Sequence, residues 1–371
     1  MESISIQTNL AGEDVRVEIV HEISEIRKLA QAWDSLAESF GQTGLMQTSG
    51  YYLSYFESLR KNAQFEFIVA VYRGVELRAV LPLSKVLKKR LFLSVKILQL
   101  PDTPIPVRGM LWPPDWSLDD LHRLLRQLHV YVAWDLVKLG GFIQDELSQL
   151  VGKEVASPFA IRAIAINNFI QLDFDDYGRD VLAKKMRSNL KRGLARLKAL
   201  GEVEFVTVCD QSVLDHAFDQ FVALEASGWK SQRGGKRAIA LHPDQLEFYR
   251  NLMKRFARSN RCDIHLLLIN KEPVAADFCV ISGASVYWLK HGFNERYTDA
   301  SPGQLLRKYV IDRYSQHPDV TRYDMISSYS WQKVWKPTSR EVIELQAINR
   351  TLIGSIVRAA YYLKKTIRRS H

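Results

Sequence analysis

The sequence predicts a mixed α/β (α+β) protein of two domains, each a mixed, mostly antiparallel sheet flanked by helices. Three observations carry that expectation. At 371 residues the chain is long enough for two cores of ordinary size. Short β-branched and aromatic runs alternate along it with amphipathic stretches of helical period. The two halves also repeat, loosely, one order of elements: strand, helix, hairpin, helix, strand.

The first half opens on a loose lead-in of about a dozen residues. Val15 to Val20 alternates as a strand does. Ser24 then caps a helix to about Ser39, with Ile26, Leu29, Ala30, Trp33 and Leu36 on one face. Gly41 to Gly44 is a loop and Ser49 to Leu59 an aromatic-rich helix. Phe65 to Tyr72 and Leu77 to Val86 form a hairpin about Arg73-Gly74. Lys88-Lys89-Arg90, just beyond, reads as a charged edge that opposes edge-to-edge pairing. Prolines at 101, 104, 106, 113 and 114 rule out a regular internal strand there. A helix over 118–130, a strand over 133–138 and a short helix over 145–150 close the first domain, 1–165. The second domain is 166–371.

In the second half a strand over 168–174 leads to a long helix over 178–200. Leu182, Met186, Leu190, Leu194, Leu197 and Leu200 fall on one side of it. Lys184, Lys185, Arg187, Lys191, Arg192 and Lys198 fall on the other. That basic face meets an anionic polymer or cofactor phosphates, or is simply a solvated face. A strand over 202–208, helices over 212–227 and 244–258, and a hairpin of 263–270 with 273–282 follow. Val286-Tyr287-Trp288-Leu289-Lys290-His291-Gly292-Phe293 is aromatic and β-branched enough for a buried strand. After a polar turn, Ser301-Pro302-Gly303-Gln304-Leu305-Leu306 starts a helix, with Ser at the N-cap and Pro at the first helical position. Such a start attracts phosphate, although Ser-Pro-Gly also begins helices that bind nothing. A strand over 321–326, a loop with Trp331, Lys333 and Trp335, a strand over 340–347 and a helix over 349–369 complete the chain.

Composition narrows the function classes. A hydrophobic share of 47% and a charged share of 25% are those of a soluble globular protein. No apolar run approaches the ~18 residues needed to cross a bilayer, and Met1 to Ser5 has no basic region leading into an apolar core, so no signal peptide is expected. Cys209, Cys262 and Cys279 are scattered without metal-ligand spacing, which suits a reducing cytoplasm and argues against structural zinc. The net charge of +10 points to an anionic partner: a phosphorylated cofactor, a lipid headgroup or nucleic acid. No Ser-His-Asp set, pair of catalytic carboxylates or metal cluster assembles from spacing.

Several motifs together resemble one family. Tyr297, Ser301-Pro302-Gly303 and Leu305-Leu306 follow an aromatic strand and precede Tyr323-Asp324 and Lys333. Met186-Arg187-Ser188-Asn189-Leu190-Lys191-Arg192 with Leu197 and Gly201 forms a basic helix. Leu224 to Lys230 ends in Trp229-Lys230, and Ala275-Ala276 with Cys279 sits on the central hairpin. The pattern, over about residues 170–340, resembles the GNAT N-acetyltransferase superfamily. More narrowly it resembles the BioF-like branch, with the CelD-like proteins of cellulose and exopolysaccharide synthesis, related to the FemAB aminoacyltransferases. The resemblance implies a tandem of two GNAT-like folds, the first degenerate and without cofactor, and no metal.

It also implies a site. A GNAT enzyme moves an acyl group from a thioester to an amine, so it must hold a pantetheine arm, bind pyrophosphate and remove a proton. The thioester would lie against Leu289, Lys290 and Gly292. The pyrophosphate would lie on Ser301, Gly303, Gln304 and Leu305, with Arg296 or Arg307 as charge partner. Here the chain departs from the usual Arg/Gln-x-x-Gly-x-Gly/Ala loop, since it has one glycine and a Pro that lacks a donor. Asp324 is the first choice of base, then Glu225, then His291; Asp277 could instead pair with Lys290 in the hairpin. Trp229, Lys230, Tyr297 and Lys333 would line the acceptor pocket.

The leading expectation is therefore an N-acyltransferase using acetyl-CoA or another acyl-CoA on an amino group of a small, envelope or polysaccharide-related acceptor. It would be cytoplasmic and would not use nucleic acid. The alternatives are a FemAB-like transferase using aminoacyl-tRNA and a non-catalytic module for an anionic polymer. A stripe of Leu352, Ile356, Ala360, Leu363 and Ile367 makes the last helix either a packed core helix or, through its distal lysines and arginines, a peripheral contact with the inner face of an anionic membrane.

Overall fold

The computed structural model describes residues 4–60, 65–90, 93–145, 147, 158–174, 176–228 and 237–367. In chain order the elements are β1 (Ile4–Leu10), β2 (Glu13–Val20), α1 (Ile23–Ser39), α2 (Ser49–Ser58), β3 (Glu66–Arg73), β4 (Glu76–Arg90), β5 (Leu93–Gln99), α3 (Leu118–Leu128) and β6 (Leu136–Ile143). Then come β7 (Ala160–Gln171), α4 (Tyr177–Asp180), α5 (Lys184–Lys198), β8 (Val203–Val208), α6 (Gln211–Ser227), α7 (Pro243–Ala257), β9 (Cys262–Ile269), β10 (Glu272–Ser282) and β11 (Ser285–Phe293). The last are α8 (Pro302–Ser315), β12 (Arg322–Asp324), β13 (Thr338–Ile348) and α9 (Leu352–Ile367).

These elements divide into two units: Met1–Gln42 with Arg60–Ile166 and Arg340–His371, and Thr43–Leu59 with Asn167–Ser339. A single cut at 165 does not follow that division. The aromatic helix α2 goes with the second unit, and β13 with α9 goes back to the first, because β13 pairs antiparallel with β6 from Val342↔Ile143 to Ile348↔Leu136. Sequence order carries no sign of such a return.

In the first unit the strand order is β1-β2-β3-β4-β5-β6-β13. The expected lead-in is a strand, since Ile4, Ile6 and Leu10 place an apolar face over the core while β1 pairs with β2. Lys88, Lys89 and Arg90 are not a free edge; they lie inside β4 opposite Val95, Ser94 and Leu93 of β5. The β5–β6 pair is parallel and the other neighbours are antiparallel. α3 is set by a capping box, in which Ser117 accepts from the Asp120 N–H and Asp120 accepts from the Ser117 N–H.

The second unit has the order β7-β12-β11-β10-β9-β8. Again one pair is parallel, β11 with β12. Both units are thus mixed, mostly antiparallel sheets flanked by helices, as the sequence predicts. The long helix over 178–200 is broken at Val181–Ala183 into α4 and α5. Successive β10 residues point to opposite faces. Phe278 meets Phe218, Phe221 and Tyr249 of α6 and α7. Cys279 belongs to the core that contains Leu305, Leu306 and Val310 of α8.

α8 is tied to the sheet by a buried polar chain. The Tyr314 hydroxyl donates to Asp263 Oδ2 at 2.6 Å and lies 3.0 Å from His265 Nε2. His265 Nδ1 is 2.9 Å from Thr207 Oγ1. Burial pushes the His265 pKa down to about 3, so the ring is neutral. With the Tyr314 proton given to Asp263, Nε2 carries the ring hydrogen and Nδ1 accepts from Thr207. Tyr314→Phe strips the buried Asp263 carboxylate and the Nε2–H of their shared partner, and a loss of about 1–3 kcal/mol is expected. Urea titration checks it; an unchanged midpoint at constant slope would remove the chain from the forces that hold α8.

Candidate active site

The site is organised by an irregularity in β11. Its register against β10 runs Val286↔Ile281, Tyr287↔Val280, Trp288↔Cys279 and then Lys290↔Phe278, so that Leu289 is skipped. This is a β-bulge, which re-aims side chains and bends the strand. On the other edge of β11 the parallel register with β12 ends at Tyr287↔Asp324. From Trp288 onward β11 continues without that register, so the bulge sits where the two parallel strands part.

The bulge sorts the neighbouring side chains onto two faces. Lys290 shares the Phe278 face, with Nζ 5.2 Å from the centre of the Tyr249 ring. Burial holds its pKa below the usual lysine value, against the opposing charges of Glu225 and Tyr329. Glu225, in α6, is 2% exposed, and its Oε2 accepts from the Ile239 N–H at 2.9 Å. Gly292 allows this approach: a Cβ there would collide with the Glu225 backbone nitrogen. A shallow pocket opens beside them, and its walls include Glu225, Gly228, His291, Gly292 and Glu295.

On the opposite face His291 is paired in register with Asp277 and stacks on Trp288 with centroids 5.0 Å apart. The expected Asp277–Lys290 pairing does not form, because the two side chains lie on opposite faces. Asp277 instead meets Arg307 of α8, Oδ1 to Nη2 at 3.7 Å, with both side chains almost wholly buried. The guanidinium also lies 3.6 Å from the Trp288 ring centre and 5.0 Å from that of Trp331. Arg307 is therefore enclosed and is not placed to meet a phosphate in solvent.

Asp324 ends β12 at the parting point, 3% exposed. The Asn167 side-chain amide donates to both of its oxygens at 3.1 Å, and the Ile326 N–H donates to Oδ1 at 2.7 Å. These donors make it the anchor of the turn at Ile326, where φ is +50°. Asn167 is 157 positions away in the chain, which is why no spacing pattern marks it as a partner.

At the start of α8, Ser301 is left-handed (φ 52°, ψ 55°) and makes no side-chain cap. The N-cap expectation fails in that detail. Pro302 has no N–H, and the Gln304 and Leu305 N–H groups both turn back to the Ser301 carbonyl. The Gln304 side chain accepts from the Trp335 indole at 2.9 Å. Leu305 is buried. At Gly303 a Cβ would meet Phe293 at 3.6 Å, an ordinary contact, so protein packing does not demand glycine there. Arg296 is exposed on the preceding turn Glu295–Ala300; Tyr297 is half-buried on the same turn. Lys333 is exposed in the turn Ser330–Trp335. Trp229 and Lys230 lie outside the described residues. Among the described residues no group of three or more His, Cys, Asp and Glu side chains forms a metal site, and no helix is long and apolar enough to cross a membrane.

Known proteins resemble parts of this chain in sequence and fold. Residues 184–333 match the family model "Acetyltransferase (GNAT) domain", a span that holds α5, the bulge, the start of α8 and Asp324. No curated protein sequence matches the chain. Among solved structures, FemX is similar at a TM-score of 0.58 and 14% identity, over 88% of this chain and 98% of that one. L-PGS from Bacillus licheniformis is similar at 0.53 and 9%, over 88% and 94%. The C-terminal domain of a putative lysylphosphatidylglycerol synthetase from Agrobacterium fabrum is similar at 0.54 and 9%, over 91% and 96%. At such identities these likenesses concern the fold, and the family match is confined to one stretch: residues 184–333 are similar to a GNAT acetyltransferase domain.

Proposed function

We propose that the protein transfers an acyl group, acetyl in the simplest case, from a coenzyme A thioester to an amine. The observation that carries this is the bulge at Leu289 placed where β11 and β12 part, followed directly by the Ser301-Pro302-Gly303 helix start. A pantetheine arm laid between the parted strands would put its thioester carbonyl against the backbone N–H groups of Leu289 to Gly292, which can polarise it. The amine nitrogen attacks the carbonyl carbon, the C–S bond breaks, and the thiolate leaves with a proton. An amine of pKa ~10 must first lose its own proton. Glu225, on the pocket beside Gly292 and next to Lys290, is the proton acceptor in this scheme, with His291 across the strand as the other candidate. Asp324, held by the Asn167 amide and the Ile326 N–H, fixes the turn. Tyr297 and Lys333 belong to the acceptor side in this scheme. The narrower BioF-like and CelD-like resemblance favours an envelope or polysaccharide-related acceptor.

Gly303→Glu tests the donor. Because the fold leaves room for a side chain at 303, the variant is expected to fold and to lose coenzyme A affinity by about 10-fold or more, through added bulk and negative charge where phosphate sits. Calorimetry with coenzyme A reads this directly. Undiminished affinity in the folded variant would move the phosphates elsewhere. If the wild type binds aminoacyl-tRNA and not coenzyme A, the donor is the one the FemAB resemblance implies.

A further inference from the structure

The basic helix α5 lies against the turn that leads into α8. Lys185, Asn189, Arg192 and Arg196 follow one another at spacings of four, three and four, so they share a face of the helix, and all are exposed. That face borders the turn before α8. Gly193 packs so closely on the turn that a Cβ would collide with the Ala300 carbonyl oxygen. Arg196 Nη1 donates to the Asp299 carbonyl at 2.5 Å. Arg192 lies one helical turn earlier, with Nη2 donating to Asn189 Oδ1 at 2.6 Å, a neutral partner that an anion can replace. No acidic residue occurs from Lys184 to Gly201. The carboxylates of the turn itself are Glu295 and Asp299; Glu295 faces Gly228, and Asp299 meets Arg196 through its backbone.

The start of α8 is poor in what phosphates require. Its proline lacks a donor, two of its next N–H groups are returned to Ser301, and Arg307 is enclosed with Asp277. Coenzyme A brings three phosphate groups, and charge-assisted bonds to guanidinium groups are the strong means of holding them. We infer that Lys185, Arg192 and Arg196 of α5 bind phosphate of the acyl donor, supplying from a neighbouring helix the cations that the α8 turn lacks. This inference rests on the coenzyme A reading above.

Calorimetric titration of coenzyme A, dephospho-coenzyme A and 4′-phosphopantetheine into the wild type and an Arg192→Gln/Arg196→Gln variant tests it. The expected result is a loss of about 10-fold or more in coenzyme A affinity, with phosphopantetheine affected least. If dephospho-coenzyme A binds the variant and wild type alike, the phosphate held is the 3′ one; if it weakens in step with coenzyme A, the pyrophosphate is held. Equal coenzyme A affinity in the folded variant overturns the inference, as does equal weakening of all three ligands, which marks a packing defect. Lys185→Gln, one helical stretch away from the Asp299 contact, gives the same test without touching the turn. A wild type that binds none of the three removes the donor reading, and the inference with it.

Discussion

Arg307→Ala is expected to destabilise the second unit by about 3–5 kcal/mol, the cost found when one partner of a buried ion pair is removed. The variant would leave Asp277, 1% exposed, as a buried carboxylate without its guanidinium. It would also remove the cation from the face of Trp288, 3.6 Å away, and open space between α8 and β11. The double variant Asp277→Asn/Arg307→Met should recover much of the loss, because no charge is then buried alone. Guanidinium titration of the two single variants and the double one isolates the coupling. A single-variant loss under about 1 kcal/mol would mean that solvent reaches the pair. The pair also bears on the site: Trp288 stacks with His291 and also meets the Arg307 guanidinium, so loss of the guanidinium would disturb the ring on which the imidazole rests.

Much of this arrangement is legible in the order of residues alone. The β9–β10 hairpin with β11 as its further strand, α8 after it and the amphipathic α5 follow from local period and from Pro and Gly punctuation. What is not legible depends on pairing between distant segments. The bulge at Leu289 exists only relative to β10, since nothing in Trp288-Leu289-Lys290 distinguishes a bulged strand from a straight one. The face on which Lys290 lies, and with it the separation of Lys290 from Asp277, follows from that one skipped residue. Arg307 looks like a phosphate ligand because it is basic and one turn into a helix whose Ser-Pro-Gly start is of a kind that attracts phosphate, yet in the fold it is buried against Asp277 and Trp288 of the sheet. Lys88 to Arg90 looks like an edge because charge usually marks edges, but β5 pairs there nonetheless. The return of β13 to β6 is tertiary throughout. In each case local chemistry names the element, and the partner across the sheet decides what its side chains do.

Glu225→Gln is expected to lower acyl transfer to an amine by about 10²–10⁴-fold, the range that general-base removal covers, with coenzyme A affinity retained. The carboxylate is buried on the pocket wall and holds the Ile239 N–H through one oxygen, a bond that a glutamine carbonyl oxygen can keep. The amide preserves shape and loses charge, so a fall in turnover reports chemistry rather than packing. The Lys290 pKa supplies a second readout with a defined sign. Burial lowers it and the Glu225 charge raises it again; removing that charge leaves the ammonium less favoured, so the Lys290 pKa moves further down in the variant. Any limb of the pH–rate profile that Lys290 sets should therefore shift to lower pH in Glu225→Gln and vanish in Lys290→Met. Release of free thiol from acetyl-CoA in the presence of a small primary amine, followed across pH, measures both effects. Turnover within about threefold of wild type in Glu225→Gln, with a large loss in His291→Asn, would transfer the proton acceptor to the imidazole on the other side of β11.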